Sequence, residues 1–223
     1  MEIIVLSLFP KMFDGFLSES IIKRAIDKNI VNIRVINFRD YSVYNNNQVD
    51  DTPYGGGAGM VLMCDPIFRC LDEIRDDGSY VVLLSPEGNR YNQEKAREYK
   101  NIKKLIIICG HYEGFDERIK EEADEIVSVG DYILTGGEIG AMAIMDSVIR
   151  LVPGVINNES LDDESFNDGL LDYPVYTKPE EYRGKKVPSI LLSGNHQKIK
   201  NYRHNERIRV TKEKRPDLLS KDV

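Results

Sequence analysis

Three short segments of this chain carry residue types suited to small-molecule chemistry. Val129 to Glu138 (VGDYILTGGE) places three glycines and two carboxylates in ten residues, just ahead of an apolar run. Glycine reaches backbone angles closed to other residues and lets a ligand approach the main chain, so Gly130, Gly136 and Gly137 beside Ile133 and Leu134 read as a tight, partly apolar binding loop. Leu83 to Gly88 (LLSPEG) and Cys109 to Gly114 (CGHYEG) read the same way, each following a strand-like apolar run, Tyr80 to Leu84 and Leu105 to Cys109. Three loops at strand exits are expected to meet at one edge of a parallel sheet, where ligands of open α/β folds bind. A fourth segment, Asp51 to Gly59 (DTPYGGGAG), has the composition of a phosphate-cradling loop. No Gly-Lys-Ser/Thr follows it, and no G-x-G-x-x-G lies between the first strand and its helix, so neither a P-loop nor a Rossmann site is supported. Asp162, Asp163 and Glu164 stand in an irregular stretch as candidate general bases. Glu121, Glu122, Asp124 and Glu125 read as a solvated helix end without chemistry.

The elements that must position these loops alternate in type. Ile3 to Leu8 reads as a strand, Pro10 to Lys28 as a helix, and Val31 to Phe38 as a strand. Further on, Pro66 to Ile74, Gln93 to Tyr99, Phe115 to Ala123 and Glu138 to Leu151 read as helices between the strands Tyr80 to Leu84, Leu105 to Cys109 and Glu125 to Val129. This order predicts an α/β fold with a largely parallel sheet. From Val155 to about Pro179 periodicity gives way to Asn, Asp, Ser, Gly and Pro, marking a linker or functional loop. His196 to Arg209 and Pro216 to Leu219 then read as helices of a small basic domain.

Composition excludes several classes. A chain of 223 residues with 41% hydrophobic content buries a proper core, and no apolar stretch approaches the roughly 18 residues of a membrane span. The segment Met1 to Leu6 reads as a first buried strand and not as a signal peptide, so a cytoplasmic protein is expected. Cys64, Cys70 and Cys109 lack C-x-x-C spacing and are expected as buried thiols; His111, His196 and His204 are too scattered for a metal centre. The net charge of −7 hides an asymmetry. Leu171 to Val223 carries 13 Lys and Arg against 7 Asp and Glu, whereas the first 170 residues carry 17 against 30. An acidic body with a basic end points to a polyanion held by that end.

Taken together, Asp51 to Met60 (DTPYGGGAGM), Leu84 to Gly88, Cys109 to Gly114, Gly130 to Glu138, Ser165 to Leu171 (SFNDGLL), Tyr173 to Pro179 and Leu191 to His196 (LLSGNH) resemble the bacterial tRNA (guanine-N1)-methyltransferases. The resemblance runs in order from Ile3 to about Leu219. It implies a SPOUT-type parallel sheet with a C-terminal trefoil knot, over residues 1–156. A linker over 157–179 and a small basic helical tRNA-binding domain over 180–223 would follow. It further implies methyl transfer from S-adenosylmethionine to N1 of the guanosine at position 37 of tRNA, by a homodimer whose active sites are shared between subunits. The methyl donor would contact Leu83, Leu84, Ser85, Pro86, Gly110, Tyr112, Glu113, Val129, Gly130, Asp131, Tyr132, Ile133, Leu134, Gly136 and Gly137. Arg150 would stabilise charge on guanine O6. The family's base is an aspartate immediately before Ser-Phe; Glu164 stands there in this chain, with Asp163 one residue earlier as the alternative. Asp51, Tyr54, Gly55 and Gly59 would recognise the guanosine, and Lys185 and Arg203 would hold phosphates. The resemblance leaves room for Mg²⁺ assistance, and the short stretch after Leu219 implies a minimal last helix. A non-catalytic S-adenosylmethionine- and RNA-binding protein of the same fold is the alternative reading.

Overall fold

The computed structural model describes residues 1–157 and 164–219. The chain divides into two compact units, Met1–Ile156 and Asn157–Val223.

The first unit is built on a five-stranded parallel sheet. Its strands are β1 (Glu2–Leu6), β2 (Asn32–Ile36), β5 (Ser79–Arg90), β6 (Lys104–Ile108) and β7 (Glu125–Ser128), in the order β2-β1-β6-β5-β7. β3 (Asp50–Asp51) and β4 (Val61–Leu62) form a separate antiparallel hairpin. Because side chains alternate along a strand, β1, β5 and β6 feed two cores with their near-continuous apolar runs. Ile3, Val5, Val82, Leu84, Leu105 and Ile107 pack on one face, with Phe13 and with Ala141, Ile144 and Val148 of α6 (Glu138–Ile149). Ile4, Leu6, Val81, Leu83, Ile106 and Ile108 pack on the other, with Phe38 and with Ile67, Cys70 and Leu71 of α3 (Cys64–Ile74).

Several expected elements differ. The helix expected over Pro10 to Lys28 is a 3₁₀ turn, Pro10–Phe13, followed by α1 (Asp14–Ser18) and α2 (Ser20–Asp27). Glu19 is extended and Ser20 has φ +56°, so the helix restarts where a Ser-Glu-Ser run offers the backbone polar competitors. α4 (Gln93–Tyr99) lies as expected, and α5 is only Glu117–Glu121. The acidic stretch after α5 is not a solvated end throughout. Asp124 accepts a hydrogen bond from the Val81 amide at 2.7 Å, and Glu125 Oε2 accepts from the hydroxyls of Tyr99 at 2.7 Å and Tyr80 at 3.2 Å. These carboxylates fasten the start of β7 to β5 and α4. Cys70 and Cys109 are buried thiols, Cys64 is half-buried, and all three are free.

β5 is longer than the Tyr80 to Leu84 run. Leu84 and Asn89 both pair with Val127, so Ser85 to Gly88 leave the sheet as an excursion and the strand then rejoins β7. Gly88 makes the return possible, since a Cβ there would stand 2.4 Å from the Val127 nitrogen.

In the second unit, β8 (Glu181–Tyr182) and β9 (Lys185–Lys186) form a small hairpin and α7 (His196–Lys214) is the main helix. Asn195 caps α7 by accepting from the Lys198 amide at 3.1 Å. The stretch 164–172 is fastened to this helix. Arg207, 7% exposed, donates to the Leu171 carbonyl at 3.2 Å and reaches both oxygens of Asp168 at 2.9 and 2.5 Å, while Thr211 Oγ1 accepts from the Leu171 amide at 2.9 Å. The Arg207 guanidinium holds the Asp168 carboxyl below its ordinary value. A carboxyl lowered by folding stabilises the fold above its ordinary value of 3.8, and that contribution disappears as pH falls through the lowered one. Arg207→Met is expected to remove about 1.5–3 kcal/mol of charge-assisted hydrogen bonding at neutral pH. Faster amide exchange at Leu171 and a lower unfolding midpoint would show it, and the difference from wild type should shrink in acid.

Candidate active site

The exits of β5, β6 and β7 form one cavity of about 310 Å³. Its walls are Leu84 to Pro86 where the excursion begins, the loop after β6 and the loop between β7 and α6. Of the residues assigned to the donor by resemblance, all but Leu83 and Asp131 line it. Leu83 is fully buried in the sheet, paired with Ile108 and Ile126, so its side chain belongs to the core. Asp131 is exposed and ion-paired with Arg90, outside the cavity wall. His111, Gly114 and Thr135, within the segments read as binding loops but not assigned to the donor, also line the cavity, as do Phe115, Val127, Ser128 and Gly140, which the sequence reading did not select.

Main-chain bonding holds the walls in register. The Gly137 amide donates to the Gly110 carbonyl at 2.9 Å, and His111 and Gly136 form a backbone bridge. Gly137 must lack a side chain, because a Cβ there would lie 2.7 Å from Cys109 Cα and 2.9 Å from the Gly110 nitrogen. Tyr112 adopts φ +59°, a left-handed conformation rare for a bulky residue and typical of constrained sites. Leu84, Ile133 and Leu134 make the cavity partly apolar, and Ser85 and Glu113 add polar groups. Burial pushes the Cys109 thiol well above its ordinary value, with the Glu138 carboxylate adding to it, so this thiol is no nucleophile.

The Gly-rich loop is the tip of the β3–β4 hairpin and joins the cavity at its edge. The Glu113 amide donates to the Met60 carbonyl at 3.0 Å, the Leu62 amide donates to the Gly114 carbonyl at 2.9 Å, and a Cβ on Gly59 would strike the Glu113 side chain at 2.4 Å. Asp51 is exposed, its Oδ1 accepting from the Thr52 amide, and Tyr54 and Gly55 are fully open to solvent-side ligands. Among the described residues no group of His, Cys, Asp and Glu is arranged to hold a metal ion.

Of the candidate catalytic residues, Arg150 belongs to the first unit and Glu164 to the second. Arg150 is the C-cap of α6, half-buried, whereas Gly137 at the cavity is its N-cap. Thirteen residues of helix at 1.5 Å each separate them by roughly 20 Å. Glu164, in the second unit, opens a loop closed on itself: Phe166 N–H donates to the Leu170 carbonyl at 2.8 Å, and Asp172 N–H donates to Ser165 Oγ at 2.9 Å. Asp168, in the same loop, is committed to Arg207. Asp163 lies outside the described residues. Lys185 is exposed on β9, and the Arg203 guanidinium stacks 4.6 Å over the Tyr173 ring. Among the described residues no helix is long and apolar enough to cross a membrane.

Comparison with known proteins gives matches over nearly the whole chain. The sequence model of the tRNA (Guanine-1)-methyltransferase TrmD family matches residues 1–221. The tRNA (guanine-N(1)-)-methyltransferase of Malacoplasma penetrans is 56% identical over 221 residues, covering 99% of this chain and 98% of the relative. Those of Geobacillus kaustophilus and Staphylococcus epidermidis are 54% and 52% identical over 223 residues, each covering 98% of this chain and 91% of the relative. With a match of this length and relatives more than half identical almost from end to end, the chain belongs to the tRNA (guanine-N1)-methyltransferase family.

Proposed function

We propose that this protein transfers a methyl group from S-adenosylmethionine to N1 of guanosine 37 of tRNA. The observation that carries the reading is the single cavity made by three glycine-bearing strand exits. Its residues fit the donor: main-chain groups at Gly110, Gly136 and Gly137 are open to close approach, Leu84, Ile133 and Leu134 enclose an apolar base, and Glu113 suits a cationic end. When bound, S-adenosylmethionine supplies an electrophilic methyl group.

The chain's own residues then answer the needs of the acceptor. Guanine N1 carries a proton at neutral pH and is a poor nucleophile until it leaves, and Glu164 takes that proton, with Asp163 as the alternative base. Negative charge grows on O6 as the proton departs, and the Arg150 guanidinium stabilises it more in the transition state than in the ground state. Arg150 stands a helix length from the cavity of its own chain, which supports a homodimer in which Arg150 and Glu164 serve the partner's cavity. Phe9, Met12 and Ile139, each about half exposed, offer that partner apolar side chains.

The remaining assignments follow from the same reading. Asp51, Tyr54, Gly55 and Gly59 on the hairpin tip recognise the guanosine, while Lys185 and Arg203 grip phosphates without reading sequence. The stitching of Gly136 and Gly137 onto Gly110 and His111 supports a SPOUT domain over 1–156 with its end threaded as a trefoil knot. Residues 157–179 act as the linker bearing the base and 180–223 as the tRNA-binding domain, in a cytoplasmic enzyme.

The test is methyl transfer from labelled S-adenosylmethionine to paired tRNA transcripts carrying guanosine or adenosine at position 37. Label on the guanosine transcript alone is expected. Label on neither, with donor binding intact, overturns the enzyme reading and leaves a non-catalytic binding protein.

A further inference from the structure

Glu138 is the first residue of α6 and only 1% exposed. A carboxylate withdrawn from water is costly unless each oxygen is satisfied. Here both are, by two different elements. Ser7, just past β1, donates its hydroxyl to Oε1 at 2.6 Å, and Ser7 Oγ in turn accepts from the Phe9 amide at 2.9 Å. The Nε2–H of His111, in the loop after β6, donates to Oε2 at 2.8 Å. The start of a helix also favours the negative charge.

The chain of contacts ends at the cavity wall. His111 lines the cavity, whereas Glu138 and Ser7 do not. The His111 ring lies so close over Gly136 that a Cβ there would stand 2.2 Å from Nε2, and Phe9 covers the ring with its centroid 4.7 Å away. The loop after β6 and the loop before α6 are therefore held together twice, through the Gly136 and Gly137 main chain and through the His111–Glu138 pair.

We propose that Ser7, Glu138 and His111 form a positioning chain that clamps these two cavity walls together before the donor arrives, so that His111 sets donor affinity and not the rate of transfer. The inference rests on the S-adenosylmethionine reading of the cavity. None of the three residues needs to touch a reacting atom. A clamp lost from the free protein makes binding bear the cost of closing the walls, which raises KM and Kd for the donor and spares kcat at saturation.

Two measurements test this, one of them without donor. In the ligand-free protein, His111→Ala is expected to accelerate amide exchange at Gly136 and Gly137, while His111→Gln, which keeps an N–H donor, stays near wild type. By calorimetric titration with S-adenosylmethionine, His111→Ala is expected to weaken binding roughly tenfold or more, with kcat at saturating donor near wild type. Unchanged exchange and unchanged Kd in His111→Ala overturn the clamp, as does a loss confined to kcat. If His111→Ala does not fold, Ser7→Ala tests the far end of the chain: faster exchange at Gly137 and weaker binding support the proposal, and wild-type behaviour in both overturns it. Failure of the wild-type protein to bind S-adenosylmethionine overturns the donor reading and this inference with it, a result distinct from a wild type that binds and a His111 variant that binds equally well.

Discussion

Glu164→Gln is expected to lower methyl transfer by roughly 10²–10⁴-fold, the range lost when a positioned acid–base group is removed. The substitution keeps size and hydrogen-bonding reach and removes only the capacity to take the guanine N1 proton. Donor affinity and the unfolding midpoint should therefore stay close to wild type, because the loop that Glu164 opens is fastened by Asp168, Leu171 and Asp172 and not by its own carboxylate alone. Single-turnover transfer to a guanosine-37 transcript separates this from weaker tRNA binding. Asp163→Asn provides the contrast: a large loss there with little change in Glu164→Gln would move the base one residue upstream. Because the reading brings Arg150 and Glu164 from one subunit to the partner's cavity, mixing Glu164→Gln with an Arg150→Ala variant is expected to give no recovery of activity, since each site of a mixed dimer then lacks one group; recovery, from one site lacking both groups and one intact, would place the two residues on different subunits.

Gly137→Ala is the second large effect. A methyl group there would meet backbone on two sides, Cys109 Cα and the Gly110 nitrogen, and backbone cannot rotate away as a side-chain tip can. The loop after β6 must retreat from α6, breaking the Gly137–Gly110 hydrogen bond that registers two cavity walls. Overpacking of this kind costs about 1–3 kcal/mol of stability. Displacement of a binding wall by about 1 Å is expected to reduce transfer on the order of 10²-fold. Thermal unfolding and donor titration of the same protein preparation check both parts. Gly15→Ala is the control, since nothing lies within 4 Å of a Cβ at that position.

How much of this was legible in the sequence depended on whether the cause was local. The three loops could be read because each pairs an apolar strand with glycines immediately after it. The sheet followed from the same strands, although its order did not. That β5 rejoins β7 after Ser85 to Gly88 could not be read, because the requirement for Gly88 is imposed by Val127 on another strand. The break at Glu19 and Ser20 hid inside a stripe of Met12, Phe13, Phe16, Ile21 and Ile22 that fits one continuous helix. Glu125 looked solvated beside three other acids, yet Tyr80 and Tyr99 lie against it. His111 was passed over as one scattered histidine, since its partners Glu138 and Ser7 lie 27 and 104 positions away in the chain. Leu83 entered the donor site by resemblance alongside Leu84, and strand alternation sends the two side chains to opposite faces.

Glycines contribute a share of the cavity wall, Gly110, Gly130, Gly136 and Gly137 among them, and this bears on how the protein can change under selection. A compound that competes there through the main chain of these glycines does not depend on side chains whose replacement would exclude it. Escape from such a compound would pass through positions such as Gly136 and Gly137, where any added atom strikes a neighbouring loop or ring. Those same changes deform the seat of the natural ligand. Resistance and fitness are therefore tied to the same few atoms, so escape is expected to arise from altered protein abundance or uptake of the compound more readily than from the cavity itself.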